Sequence, residues 1–352
     1  MKLEQAILTI QPTCKDSMLE ANKHWDLIAK PLNSLGLLEN IITQLAGITR
    51  TQTICIDKRC LVIMCADNGI VSQGVTQADS IVTAIMAENF VKGTTTVCSM
   101  AKHIGVDVIP VDIGINRNIS IDGLLSKKVM LGTNDFSKTT AMTREQVVQA
   151  IEVGINLALS LKEKGYQIIA TGEMGIGNTT SSAAIASVLL GCPPEEVTGR
   201  GAGLDHDGIM RKIKVIKQAI AFHAPNKEDP IDVLSKVGGL DIAGLVGLFI
   251  GGAVAKLPVI IDGFISGISA LLATKLAPLC KDYMIASHTS AEPAGILVLQ
   301  KLEFLPLVQA YMCLGEGTGA MVALGILDMA LAVFHNTITF PEIQLENYIH
   351  FT

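Results

Sequence analysis

Short apolar runs alternate with longer amphipathic ones through the middle of the chain. The short runs are Cys60–Ala66, Asp107–Ile113, Gln167–Thr171, Pro258–Ile261 and Tyr283–Ala286. Their length and lack of a helical period fit buried strands. Helix-length segments lie between them. The clearest is Thr143–Lys164, where Thr143 and Gln146 have capping-box spacing and Gly165 stops the run. The alternation predicts an α/β fold: a mostly parallel sheet with helices on both faces.

Two uncharged or nearly uncharged stretches stand out. Ile242–Ala255 is too short for a membrane span, which needs about twenty residues. Gly317–Phe334 is longer but carries Asp328. Both are expected to be buried helices, and no membrane partner is expected. The first 50 residues and the last 30 fall outside the strand–helix alternation and look helical, with Asn33 or Ser34 placed to cap a helix through Ile48. The expected organisation is a helical part over 1–55, an α/β domain over 56–320 and a second helical part over 321–352, the two helical parts packing together.

Composition narrows the functional classes. The 352 residues are 49% apolar with a net charge of −6, so the chain has ample material for a core. It has no basic run of the kind that nucleic-acid binding needs. Eight cysteines form no C-x-x-C pair, and the histidines are scattered, so reduced thiols in a cytoplasmic protein are expected and no metal site. The start, MKLEQAILTIQ, has too short an apolar run for a signal peptide.

The residues after each strand carry the chemistry. They are Asp67-Asn68-Gly69, Gly114, Gly172-Glu173, Asp262-Gly263 and Ser287-His288. In open parallel sheets the carboxyl edge of the strands is the ligand crevice. Turns alone explain the glycines; they explain the repeated acids less well. The stretch "TGEMGIGNTTSSAAI", Thr171–Ile185, has the spacing of a nucleotide-binding loop except that Asn178 stands where a lysine would neutralise the β- and γ-phosphates. It fits either a cradle for one phosphate on backbone N–H groups or a ligand-free turn.

Three more segments share this texture. "GRGAGLDHDGIMRK", Gly199–Lys212, enters a helix and places Arg200, Arg211 and Lys212 near a candidate anion site. "SHTSAEPAG", Ser287–Gly295, opens another helix with Ser290 as its expected N-cap. "LGEGTGA", Leu314–Ala320, sets Glu316 between glycines, where an apolar surrounding would raise its pKa toward general-base strength.

Together with "NSLGLLE" from Asn33, "ADNGIVSQGV" from Ala66, "VDIGI" from Val111, "GTNDFSKTTAMT" from Gly132, "GGLDIAGLVG" from Gly238 and "IDGFIS" from Ile261, these motifs resemble, in order, the nicotinate-nucleotide–dimethylbenzimidazole phosphoribosyltransferase family. The resemblance implies a Rossmann-like sheet with a small helical domain from both termini, usually in a dimer. It implies transfer of 5-phosphoribose from nicotinate mononucleotide to the aromatic lower-ligand base of a cobamide, with release of nicotinate and no cofactor. By position, Glu316 matches the family's catalytic glutamate. Glu173 matches a second active-site glutamate, which holds the ribose or helps the proton transfer. Lys212 and groups at Gly175, Gly177, Asn178, Thr179, Gly201 and Ser290 are the candidates for phosphate and ribose.

One stretch departs from the family pattern. Thr76-Gln77-Ala78-Asp79 replaces Ser-x-(Tyr/Phe)-Pro, and Asn68 replaces a histidine. The candidate acceptor pocket, Thr76, Ala78, Asp79 and Leu314, therefore lacks an aromatic wall. A related branch of the family uses phenol and para-cresol as a heterodimer of paralogous chains. The resemblance thus leaves open a homodimer, a heterodimer, and a paralogous subunit that depends on its partner for activity.

Overall fold

The computed structural model describes residues 1–350. Six strands form one parallel sheet: β1 Arg59–Ala66, β2 Val106–Gly114, β3 Leu125–Ser126, β4 Ile168–Met174, β5 Val259–Ile261 and β6 Met284–Ala286. Their order is β3-β2-β1-β4-β5-β6. The order reverses between β1 and β4, and a doubly wound sheet opens a crevice at such a point, outside the strand carboxyl ends. Five of the strands fall on the predicted runs. β3, two residues long, offers no periodicity to read.

Every residue of β1 is buried. Successive side chains point to opposite faces, so one strand feeds two cores. Cys60, Val62, Met64 and Ala66 join the cluster with helices Arg144–Glu163 and Leu240–Ala255. Leu61, Ile63 and Cys65 join the cluster with helices Leu37–Thr49 and Thr318–Asn336. Helix 144–163 begins with the predicted capping box at Thr143 and Gln146. It meets helix 240–255 backbone to backbone: a Cβ on Gly247 would run into the Ile151 carbonyl. Apart from Asp241, that second helix is uncharged, and it is buried along almost its whole length.

The chain ends meet around helix Lys15–Leu27. His24 Nε2 bonds Phe334 O at 2.7 Å, Phe340 N donates to Leu27 O at 2.9 Å, and the Trp25 and Phe334 rings stack edge-on at 4.9 Å. Helix 318–336 crosses the expected boundary at 320 without a break and lays its buried face on the sheet. The first helix, Leu3–Thr9, packs its buried face into the core of the opposite sheet face.

The expected cap at Asn33 or Ser34 does not form. Helix 37–49 follows Gly36, at φ 54°, with no side-chain cap. The Glu39 carboxylate instead accepts the Leu35 N–H at 2.8 Å and pairs with Lys30 at 2.7 Å. An acid in the first turn thus ties down the chain that enters the helix, while the helix's own first N–H groups receive no side-chain cap.

Candidate active site

A cavity of about 330 Å³ lies at the carboxyl ends of β4, β5 and β6. Nearly all of the sequence-predicted site residues meet there: Glu173, Gly175, Gly177, Asn178, Thr179, Gly201, Ser290, Thr76, Leu314 and Glu316 line it. Lys212, Ala78 and Asp79 do not.

Glu316 sits in an unusual turn. It has φ 62°, between Gly315 at 85° and Gly317 at 101°. A non-glycine residue there is held against a cost on the order of 1 kcal/mol or more. Two contacts hold it. Gly172 of β4 lies so close that a Cβ there would strike the Glu316 carbonyl oxygen. Asp262, just past β5, accepts the N–H groups of Gly317 at 3.1 Å, Gly319 at 2.7 Å and Ala320 at 3.1 Å. Asp262 thus caps helix 318–336 and fixes the turn that presents Glu316. Burial raises the Asp262 carboxyl, while nearby His288 and the three N–H groups oppose the rise.

Besides Asp262, two more carboxyl groups that line the cavity have raised pKa values. Glu173, at the end of β4, is pushed up to about 8, chiefly by burial and then by the charge of Asp241. It therefore holds its proton at neutral pH. Glu316 is also raised, first by burial and then by Asp262, with the Val97 backbone N–H opposing. Its Oε2 is buried with no hydrogen-bond partner. Such an oxygen is free to take a proton from an incoming group.

Asn178 is the first residue of helix Asn178–Leu190, which follows Gly177 at φ 92°. Its side chain is committed inward. The amide nitrogen donates to Glu173 Oε2 and, at 2.9 Å, to Asp241 Oδ2. The residue that replaces a phosphate-binding lysine thus organises two acids.

Lys212 is fully buried behind the cavity wall. Its Nζ donates to Thr179 Oγ1 at 2.8 Å and to Gly199 O at 3.4 Å. Burial pushes it down to about 8, against the opposing charge of Glu292. Arg200 and Arg211, the other candidate cations, are spent on backbone carbonyls, of Leu204 and Gly74 respectively, both at 2.9 Å. Glu292, not singled out from the sequence, lines the cavity and accepts the Gly201 N–H at 3.1 Å. Ser290 also lines it but does not cap the following helix. Its Oγ accepts the Glu292 N–H at 3.3 Å, and the helix Ala294–Leu302 starts three residues later than expected, after Pro293.

The apolar part of the wall comes from Val75, Val82, Met86, Met174 and Leu314, with Thr76, and the Phe264 ring also lines the cavity. Val82 and Met86 stand one turn apart on helix Ile81–Lys92. Asp79 turns away, capping that helix by accepting the Ile81 N–H at 2.9 Å, and it faces a separate polar cavity with Asp67 and Asn116. Gln77 ties this loop to the segment that carries Gly201, donating to Gly203 O.

Other positions at or behind the cavity wall were not among the candidate site residues. Asp262 was visible only as one of several strand-end acids. Asp241 left a clearer signal, a lone acid in a long apolar helix. Met86 and Val82 look like any core pair.

A family model described as phosphoribosyltransferase matches residues 10–344. The chain is 46% identical over 348 residues to the nicotinate-nucleotide–dimethylbenzimidazole phosphoribosyltransferase of Clostridium acetobutylicum, covering 99% of each. It is 45% identical over 348 residues to the protein of the same name from Ruminiclostridium cellulolyticum, again covering 99% of each. A solved structure of CobT from Thermus thermophilus superposes with a TM-score of 0.89 at 34% identity, covering 94% of this chain and 99% of that one. Matched nearly end to end in sequence and fold, the chain belongs to the nicotinate-nucleotide–dimethylbenzimidazole phosphoribosyltransferase family of pentosyltransferases.

Proposed function

We propose that the chain transfers the 5-phosphoribosyl group of nicotinate mononucleotide to dimethylbenzimidazole and releases nicotinate. The observation that carries this reading is the pair of buried carboxyl groups, Glu173 and Glu316, at one cavity. The pyridinium leaving group is already cationic, so the C1′–N bond breaks with its electron pair going to nitrogen and needs no acid. The acceptor nitrogen forms the new bond to C1′ and must lose one proton. Glu316 Oε2, buried and unpartnered, takes it. Glu173, protonated at neutral pH, donates a hydrogen bond into the site.

The phosphate end of this reading is the turn around Gly175, Gly177, Thr179 and Gly201, with Ser290 beside it. The start of helix 178–190 presents backbone N–H groups. Lys212 acts through Thr179 and supplies the positive charge from behind the wall. Incubating the purified chain with nicotinate mononucleotide and dimethylbenzimidazole, and following nicotinate release, tests the reading. No release with the chain alone or with a paralogous chain would overturn it.

A second acceptor class follows from the apolar wall. Dimethylbenzimidazole stacks on aromatic rings; none stands in Thr76–Asp79, and Phe264 is the aromatic side chain at the cavity. A small phenol loses less there. Its hydroxyl, with a pKa near 10, attacks only when a carboxylate takes its proton, which is the role given to Glu316. Phenol and para-cresol belong in the same assay, with the chain alone and with a paralogous chain. Product from dimethylbenzimidazole alone under both conditions would exclude this second class.

A further inference from the structure

We propose that Asp241 is a positioning residue for Glu173, acting through the Asn178 amide to hold Glu173 Oε2 inward and leave Oε1 toward the turn that carries Glu316. The inference rests on the reading of Glu173 as an active-site acid.

Asp241 is fully buried and does not line the cavity. It is the single charged residue of helix 240–255. A buried carboxylate without a cation costs several kcal/mol on general grounds, on the order of the penalty for a desolvated charge. The start of helix 240–255 favours an acid, and the N–H groups of Asp241 and Ile242 stabilise this carboxylate in place of a cation. Its Oδ2 has a further partner that belongs to another helix. The Asn178 Nδ2 carries two hydrogens, one directed to Asp241 Oδ2 and one to Glu173 Oε2. Flipping the amide would set its carbonyl oxygen against the Asp241 carboxylate, which can only accept, whereas the protonated Glu173 could meet either end of the amide. Asp241 therefore fixes the amide, and the amide fixes Glu173. The remaining oxygen, Oε1, lies where a Cβ on Gly315 would touch it at 2.5 Å, beside Glu316 in the chain.

The groups facing Glu173 are Asp241 from helix 240–255, Asp262 from the end of β5, Glu316 from the Gly315–Gly317 turn and Asn178 from its own helix. The three acids all favour the protonated form of Glu173, and Asn178 opposes them. Removing the Asp241 charge thus shifts Glu173 toward ionisation at lower pH as well as freeing the amide to turn.

The experiment measures kcat and KM from pH 6 to pH 10 for the wild type, Asp241→Asn, Asn178→Ala, the double variant and Glu173→Gln. For Asp241→Asn we expect kcat to fall on the order of 10- to 100-fold, the scale of a displaced reacting group, with the alkaline limb of the profile moved to lower pH. The Asn178→Ala and Asp241→Asn losses should not add in the double variant. A lower rate with the limb unmoved and the losses additive would mean a merely structural acid and would overturn the proposal. If Asp241→Asn does not fold, Asn178→Ala breaks the same link, and a wild-type rate and profile from it would equally overturn the proposal. Glu173→Gln separates the two levels. If it leaves the alkaline limb in place, the underlying reading of Glu173 fails; if it removes the limb while Asp241→Asn does not move it, only the role of Asp241 fails.

Discussion

At the Gly201–Lys212 end of the cavity, the wall is made of backbone turns backed by a fully buried lysine. Around Thr76 and Leu314, it is made largely of apolar side chains, with the Phe264 ring also lining the cavity, and Leu314 is 54% exposed. The first end is set by hydrogen bonds among residues far apart in sequence, such as Lys212 to Thr179 and Glu292 to Gly201. The second is set by side-chain bulk on one helix and two loops. A hydrogen-bonded end discriminates by geometry and charge, whereas an apolar end discriminates by shape, and shape alone gives small factors. In this reading the donor is fixed by the fold and the acceptor is open to substitution.

The sharpest break should come between the two ends, at Glu316. Glu316→Gln keeps size and hydrogen bonding but removes the base, and kcat should fall on the order of 100- to 10,000-fold with every acceptor. A near wild-type rate would remove Glu316 from the chemistry. Next is Lys212→Ala. Loss of a charge-assisted contact should weaken nicotinate mononucleotide binding about 10- to 100-fold, with a smaller loss for the dephosphorylated nucleoside. Equal losses in calorimetric titration would erase the distinction between the two ends.

A smaller effect concerns stability. Glu173 has a native pKa of about 8, above its ordinary value of 4.5. The native state therefore binds this proton more tightly than the unfolded chain does. Its contribution is fully present below about pH 4.5 and is lost as pH rises through 8. Glu173→Gln carries no such proton. Its thermal midpoint should fall less than that of the wild type between pH 5 and pH 9, by a difference worth a few times ~1.4 kcal/mol at most. Parallel curves would show that Glu173 is not strained in this way.

The smallest effect belongs to the apolar end. Met86→Ala should change the ratio of kcat/KM between dimethylbenzimidazole and para-cresol by about 10- to 200-fold at most, while leaving KM for the mononucleotide in place. A matching change at the mononucleotide would mean that the two ends are not separable.

Much of this was legible in the chain itself. Five strands announced themselves as apolar runs, and residues that follow three of them, Glu173, Asp262 with Gly263, and His288, line the cavity. Glu316 and Glu173 were singled out by their positions in motifs that match the family; by itself a carboxylate among glycines, or at a strand's end, reads equally well as a turn residue in water. The resemblance singles out Lys212, but by residue type and spacing it looks the same as Arg200 and Arg211. All three are cations near one loop, and only packing decides that two reach backbone carbonyls while the third is buried behind Thr179. Ala78 and Asp79 were grouped with Thr76 by adjacency. The loop turns between them, so Thr76 faces the site and Asp79 caps a helix.

The order of strands and helices along the chain, the buried character of helix 240–255 and the glycine-rich segments of the candidate site were determined by local properties: hydrophobic runs, capping pairs and glycine turns act over a few residues and leave their pattern in the chain. The protonation of Glu173, the freedom of Glu316 Oε2 and the inward commitment of Asn178 were decided only by tertiary structure. Each depends on burial and on partners such as Asp241 and Asp262, some sixty to ninety residues away from Glu173 along the chain, brought together where β4 and β5 end in one low-dielectric crevice.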